Sequence, residues 1–237
     1  MRVELYGDSI GAVEYISHMG TDLSVVNAAR VSFGTEKNSV DEKDIKLIKY
    51  LMNHNHSSPF EHCVLTFKFT VPLFIRSQHH RHRTWAYNEI SRRYTAVDIR
   101  FYEPKLFRTQ HEINRQASKD KLIDPNLNDT PSRILPTPSY LASEAVRSHN
   151  TRSLGLYNDL ISKGICREQA RGVLPQNLYT EYFGTVNLHN LLKFVSLRVH
   201  HGAQWEIQKV AEACLKIATK HFPHSVEAYK NKYGVEI

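Results

Sequence analysis

No stretch of this chain approaches the ~18 consecutive apolar residues that a membrane-crossing helix requires. Its start, Met1-Arg2-Val3-Glu4-Leu5-Tyr6, reaches Gly7 and Asp8 without an apolar export signal, so a cytoplasmic protein that meets no membrane is expected. Cysteine is scarce. Cys63, Cys166 and Cys214 are odd in number, far apart and never in a Cys-x-x-Cys pair, so neither a disulfide framework nor a zinc knuckle is indicated. Glycine is scarce too, and neither Gly-x-Gly-x-x-Gly nor Gly-x-x-x-x-Gly-Lys-Ser/Thr occurs. Without a Rossmann turn or a P-loop, a nucleotide has to be held by side chains or at a subunit interface. Fourteen histidines invite a metal reading, but no His-Glu-x-x-His and no matched Cys/His spacing accompanies them, and no metal is expected.

What is present is a basic, moderately apolar chain of 237 residues, with 31 Lys and Arg against 24 Asp and Glu, a formal net charge of +7 and 41% hydrophobic residues. That length supports one buried core, and no composition break or internal repeat divides it. The positive charge suits phosphate-bearing small molecules, nucleic acid or an anionic surface, without choosing among them.

Periodicity supplies the elements. Residues 2 to 6 alternate as a short strand that Gly7-Asp8-Ser9 breaks, and a helix is expected next. Asp22 to Arg30 has helical spacing, and Ser39 with Glu42 forms a capping box for a helix that turns Ile45, Ile48, Leu51 and Met52 inward and stops near Asn53. Cys63 to Val71 alternates as a half-buried strand ended by Pro72, which opens a short helix to about His80. A polar segment at about 103–137 with four prolines reads as an excursion over the surface, after which Thr137-Pro138 starts a long helix ending near Lys163-Gly164. A short helix at Arg167 to Arg171, a strand at Leu178 to Val186 and two C-terminal helices follow. The second helix carries Ile207, Val210, Ala211, Cys214 and Ile217 on one stripe, pairs Glu212 with Lys216 and ends before Pro223.

The chemistry concentrates in Arg81-His82-Arg83-Thr84-Trp85-Ala86-Tyr87-Asn88-Glu89-Ile90-Ser91-Arg92-Arg93-Tyr94, preceded by Gln78, His79 and His80. Arginine presents a planar fork that matches phosphate in bidentate fashion, so this density of guanidinium groups fits a multiply charged anion. Glu89 is the exception, and a carboxylate there fits a sugar hydroxyl or a base N–H. The alternative is a nucleic-acid-binding module that stacks bases on Trp85, Tyr87 and Tyr94.

Arg81-His82-Arg83, seven residues, then Ser91 resembles the signature of the flavin-dependent thymidylate synthases. Ala29-Arg30-Val31-Ser32-Phe33, His56, Ser58-Pro59-Phe60-Glu61-His62, Glu168 with Ala170-Arg171, Leu174-Pro175, Asn177-Leu178-Tyr179-Thr180, Thr185-Val186-Asn187, and Leu197-Arg198 with Ala203-Gln204-Trp205-Glu206-Ile207 fall in that family's order.

The resemblance implies a single α/β (α+β) domain over residues 1–237, a mostly antiparallel or mixed sheet flanked by helices, in a homotetramer with FAD between subunits and shared active sites. It implies that NADPH reduces the flavin and that methylenetetrahydrofolate gives its methylene group to carbon 5 of dUMP. Arg198 and Ser91 would be catalytic. Gln78, His79, His80, Arg81, Glu89, Ser91, Arg92, Arg93, Arg171 and Arg198 would bind dUMP. His56, Ser58, Arg81, His82, Arg83, Glu89, Asn187, His189 and Lys193 would touch FAD or folate. Ala86 and Gly202 depart from the family's usual serine and histidine, and His189 and Lys193 stand where Arg and Asn are frequent. Of the cysteines, only Cys166, beside Arg167, has a neighbour that favours a thiolate; Cys63 and Cys214 lie on apolar faces.

Overall fold

The computed structural model describes residues 1–115, 117–127 and 140–236, which form two compact units. The first takes in the described residues of Met1–Val71, Ile75–Glu89 and Glu181–Ile237, the second those of Pro72–Phe74 and Ile90–Thr180. The fold is mixed α/β.

The first unit is built on β3 (Val64–Pro72). Its alternation is that of the sequence: Leu65, Phe67, Phe69 and Val71 are fully buried while Thr66 and Lys68 are not. β3 lies in a five-stranded sheet of order β1-β2-β3-β7-β4, with β1 Arg2–Glu4, β2 Ala12–Met19, β4 Ala86–Glu89 and β7 Tyr179–Asn187. β2 stands where a helix was expected. Its backbone pairs antiparallel with both β1 and β3, and a bulge between Tyr15 and Ser17 leaves Ile16 facing solvent, so only Ala12 and Val13 are sealed and the period-2 pattern is short.

Helices α1 (Asp22–Arg30), α2 (Glu42–Asn53), α3 (Ser58–Glu61), α4 (Leu73–His79) and, after β7, α7 (Leu188–Arg198), α8 (Trp205–His221) and α9 (Pro223–Tyr233) accompany this sheet in the chain. α2 is capped by Asp41 and Asp44, each taking the other's backbone N–H, and not by Ser39 and Glu42, because Asp41 is the residue adjacent to the first turn. Asp44 is itself buried and takes Arg30 Nη2 and Lys37 Nζ at 2.6 Å each, so the Arg30 of the Ala-Arg-Val-Ser-Phe block serves to join α1 to α2. The stripe of α8 is fully buried as its spacing predicts, but Glu212 pairs with Lys209, one turn earlier, and not with Lys216. Three helices, not two, close the chain. Pro223 ends α8 and also starts α9, whose first amides at His224 and Ser225 are taken by the buried Asp22 carboxylate of α1.

In the second unit, β5 (Phe107–Gln110) and β6 (Ser118–Ile123) form an antiparallel pair within the segment read as an irregular excursion. Its polar residues give no apolar period because neither strand has a fully buried face. α5 (Ala142–Ser162) ends at Lys163 and the left-handed Gly164, as expected; its proposed start at Thr137-Pro138 lies outside the described residues. Tyr157 and Leu154 of α5 pack with Ala170 of α6 (Arg167–Ala170), Leu174 and Leu178 into a small core.

Candidate active site

β3 ends at Pro72 and runs directly into α4, which carries Arg76, Gln78 and His79; a turn then leads to β4 and back into the sheet. That turn is held by its own backbone and by Tyr87. His82 N donates to His79 O at 2.9 Å, and Tyr87 Oη reaches both His79 O (2.9 Å) and His82 O (3.2 Å). Arg198, at the last turn of α7, donates from Nε to His82 Nε2 at 3.0 Å across 116 positions of sequence. Burial, followed by the charges of Arg198 and Lys193, holds the His82 ring down to about 4, so it is neutral and can accept that bond. Burial and then Arg81 lower Arg198 from its ordinary value.

His79 points into the core of its unit. Its ring is fully buried among Phe69, Trp85, Tyr87, Tyr182 and Phe194, with Nδ1 against Tyr182 Oη at 2.8 Å, and burial drives its pKa well below the ordinary histidine value. The β4–β7 pairing brings Tyr182 and Tyr87 into that cage, which a one-dimensional reading of the His79-His80-Arg81 run could not reveal. His80 is half-buried and stacks on Tyr87 at 4.0 Å. Trp85, offered as a base-stacking platform, is only 6% exposed and packs on Phe67, Phe69 and Phe194, so it is a core residue.

Glu89 is bound by Arg76 at 3.1 Å, and Gln78 Nε2 donates to Gln204 Oε1. Nothing in the sequence points to Arg76, and only the Ala-Gln-Trp-Glu-Ile block points to Gln204, because their partners lie 13 and 126 positions away; Tyr87 is expected only as a stacking platform, not as the hydroxyl that holds this turn. Arg81 and Arg83 are exposed.

A cavity of about 310 Å³ opens in the same unit, lined by His56 and Ser57, by His189 and Lys193 one turn apart on α7, and by Tyr229, Lys232 and Tyr233 of α9. Phe60, Leu192 and Leu197 supply its apolar wall. Three residues assigned to FAD or folate, His56, His189 and Lys193, are thereby gathered. Ser58 is exposed at the start of α3, while Asn187 does not line the cavity: its Oδ1 caps α7 by accepting Asn190 N at 2.9 Å. Lys232 ties α9 to the end of α2 through Met52 O and Asn55 Oδ1, at 2.6 Å each.

Ser91, Arg92, Arg93 and Arg171 belong to the second unit. Arg92 is turned to the loop, with its Nη atoms on the carbonyls of Val97 and Asp98, so in this structure it braces backbone. Arg93 and Arg171 are exposed, and Ser91 Oγ accepts Arg93 N. Burial pushes the Cys63 thiol up to about 12 and raises Cys214 further, while Cys166 is exposed. Among the described residues no cluster of three His, Cys, Asp or Glu could hold a metal ion, and no helix is long and apolar enough to cross a membrane.

Residues 14–224 match the family model described as thymidylate synthase complementing protein. A flavin-dependent thymidylate synthase of Thermus thermophilus is 41% identical over 220 residues, covering 93% of this chain and 76% of the relative. The namesake enzyme of Thermotoga neapolitana is 40% identical over 219 residues, 92% of this chain and 90% of its own. Among solved structures, the UMP/dUMP methylase PolB from Streptomyces cacaoi, bound with 5-Br dUMP, is similar with a TM-score of 0.79 and 31% identity, over 99% of this chain and 100% of that one.

Proposed function

The chain belongs to the thymidylate synthase complementing protein family, that of the flavin-dependent thymidylate synthases, and on that premise we propose that it makes dTMP from dUMP by reductive methylation. Methylenetetrahydrofolate is the one-carbon donor, and FAD reduced by NADPH is the hydride donor. The observation that carries this reading is the Arg198–His82 contact, which ties the guanidinium of α7 to the Arg81-His82-Arg83 block.

Each side chain then has a task. Carbon 5 of uracil becomes nucleophilic as negative charge develops toward N3 and O4 of the ring, and a guanidinium stabilises that charge without changing its own protonation. Arg198 is given that role. Arg93 and Arg171 take the phosphate, Gln78, His80 and Arg81 bind the nucleotide, and Glu89 accepts a polar hydrogen from it. Ser91 orients substrate; no His-Asp pair is recognisable to make its hydroxyl a nucleophile. His79 acts from the core, by supporting the turn.

FAD fits the donor set: a cavity with aromatic and apolar walls and the cations Lys193 and Lys232 suits a ring system that carries phosphates. His56, Ser58, His189 and Lys193 would hold flavin or the folate beside it, with Arg81, His82, Arg83 and Glu89 on the other side of the assignment; Asn187 contributes by starting α7. When bound, FAD supplies the hydride that completes the methyl group. Residues 1–237 act as one catalytic domain of a cytoplasmic homotetramer with shared active sites, which uses no nucleic acid. Glu89 within the cluster and the burial of Trp85 both weigh against the nucleic-acid alternative.

The test is the visible absorption spectrum of the purified protein, followed by anaerobic NADPH. Flavin bands near one per chain that bleach with NADPH are expected. A colourless protein that gains no bands on incubation with FAD would contradict the reading. UMP is to be run beside dUMP, because the Streptomyces neighbour is named for both.

A further inference from the structure

We propose that His82 is a positioning residue for Arg198: its neutral ring, on a turn clamped by the Tyr87 hydroxyl, accepts the Nε–H of Arg198 and so sets the direction of the guanidinium fork. The proposal deepens the thymidylate synthase reading and rests on it for its catalytic meaning.

Three contacts define the device. First, Arg198 Nε lies 3.0 Å from His82 Nε2, and since arginine only donates, Nε2 carries no proton and Nδ1 carries it. Second, α7 presents Phe194 and Arg198 four residues apart on one face, and both meet the same imidazole. Phe194 meets it edge to face, with centroids 4.8 Å apart and planes at 86°. The ring is thus fixed in plane by Phe194 and in register by Arg198. Third, the turn that delivers the ring is held from β4, where the Tyr87 hydroxyl lies within hydrogen-bond distance of the carbonyls of both His79 and His82. Burial raises the Tyr87 hydroxyl above its ordinary value, so it keeps the proton that this clamp needs.

The arrangement answers a problem posed by arginine itself. A guanidinium on a long stem has several rotamers, and losing that freedom at the moment of reaction costs free energy. A bond to Nε fixes the rotation of the planar group about its stem and leaves the Nη edge as the working face. A protonated histidine could not do this, because it would present a donor and a positive charge to another donor. Arg198, with Lys193 behind it and burial ahead of both, opposes that protonation.

The tautomer is read directly by 15N NMR of histidine-labelled protein at about pH 7, with the His82 signals assigned by their loss in His82→Gln. We expect an unprotonated Nε2 and a protonated Nδ1, and a displaced Nε2 signal in Arg198→Ala. An Nε2-protonated or cationic His82, or a signal that ignores Arg198→Ala, would overturn the proposal whatever the enzyme does.

The second arm uses shape. A glutamine amide oxygen reaches the place of Nε2, whereas that of asparagine stops near Nδ1. At saturating FAD, with flavin affinity measured separately by fluorescence, His82→Gln should retain dTMP formation within about tenfold, and His82→Asn should lose about a hundredfold. Tyr87→Phe keeps the ring stacked on His80 and should lose about tenfold, the worth of one hydrogen bond. Equal rates for the Gln and Asn variants would contradict the proposal. If the unaltered protein made no dTMP, the thymidylate synthase reading would fail while the NMR result still decided the geometry.

Discussion

Arg76 Nε donates to Glu89 Oε1 over 3.1 Å, joining α4 to the last residue of β4. The one carboxylate of the basic stretch is therefore oriented by a guanidinium that lies outside that stretch. The half-buried His80 stands by the pair: burial and then Arg76 lower its pKa, against the opposing charge of Glu89. A carboxylate fixed in this way presents its remaining lone pairs in a set direction.

Removing Arg76 should loosen that carboxylate without touching the nucleotide. Arg76→Ala is expected to raise KM for dUMP roughly ten- to a hundredfold, since a hydrogen bond to a charged group is worth about 1.5–3 kcal/mol. Steady-state kinetics with dUMP varied at saturating folate and FAD measures it. An unchanged KM would mean that Glu89 needs no such support, or does not meet the nucleotide.

The cysteines should be dispensable. Burial holds the Cys63 and Cys214 thiols protonated, and Cys166 lies exposed at the start of α6. Replacing all three by serine should leave dTMP formation readily detectable. A covalent dUMP adduct on any of them, or on Ser91, found by mass spectrometry of a quenched reaction, would sink this account.

Legibility in the sequence followed burial. β3 and α8 could be read because each has one sealed face, which imposes a period of 2 or 3.6 on the residues. β2 escaped because its bulge shortens the sealed run, and the β5–β6 pair because it seals nothing. Pro223 was legible as a stop but not as a start, since the amides it precedes are satisfied by Asp22, some two hundred residues away. The site divides the same way. Its residue types were visible as a local cluster, whereas the pairings that organise it, Arg198 with His82 and Gln78 with Gln204, join segments that only the tertiary fold brings together.

Acid should destabilise the protein through two sets of groups. His79 and His82 titrate below their ordinary value of 6.5 when folded, so the unfolded chain binds more protons below that pH and stability falls as pH drops through that window. Asp44 adds the second. Burial alone would raise its carboxyl, but the bonds from Lys37, the Asp41 amide and Arg30 outweigh that and hold it below 3.8; the stability it lends above that value is lost on further acidification. Urea midpoints should fall continuously from about pH 7 downward as the histidines titrate, and more steeply below about pH 4 where Asp44 adds its share, with Asp44→Asn abolishing much of that added loss. A midpoint that held steady down to pH 5 would contradict the neutral buried histidines.

Gly184 should tolerate no side chain. A Cβ there would sit 2.8 Å from Phe69 and 3.2 Å from Trp85, ring atoms of packed core residues that cannot swing aside. Gly184→Ala is expected to cost about 1–3 kcal/mol as overpacking. It should also disturb the cage around His79, which both rings help to form. A thermal midpoint equal to that of the unaltered protein would show that β7 can shift to make room.

The central claim is that this chain methylates dUMP with Arg198 as the activating group. Its most direct measurement is dTMP formed from dUMP, methylenetetrahydrofolate, NADPH and FAD under anaerobic conditions, followed by mass spectrometry for the unaltered protein and for Arg198→Ala and Arg198→Lys. The account predicts dTMP from the unaltered protein and a loss of about 10²–10³ in both variants, with their flavin still bound and still reduced by NADPH. No dTMP from the unaltered protein with flavin bound, or near-normal dTMP from Arg198→Ala, would contradict it.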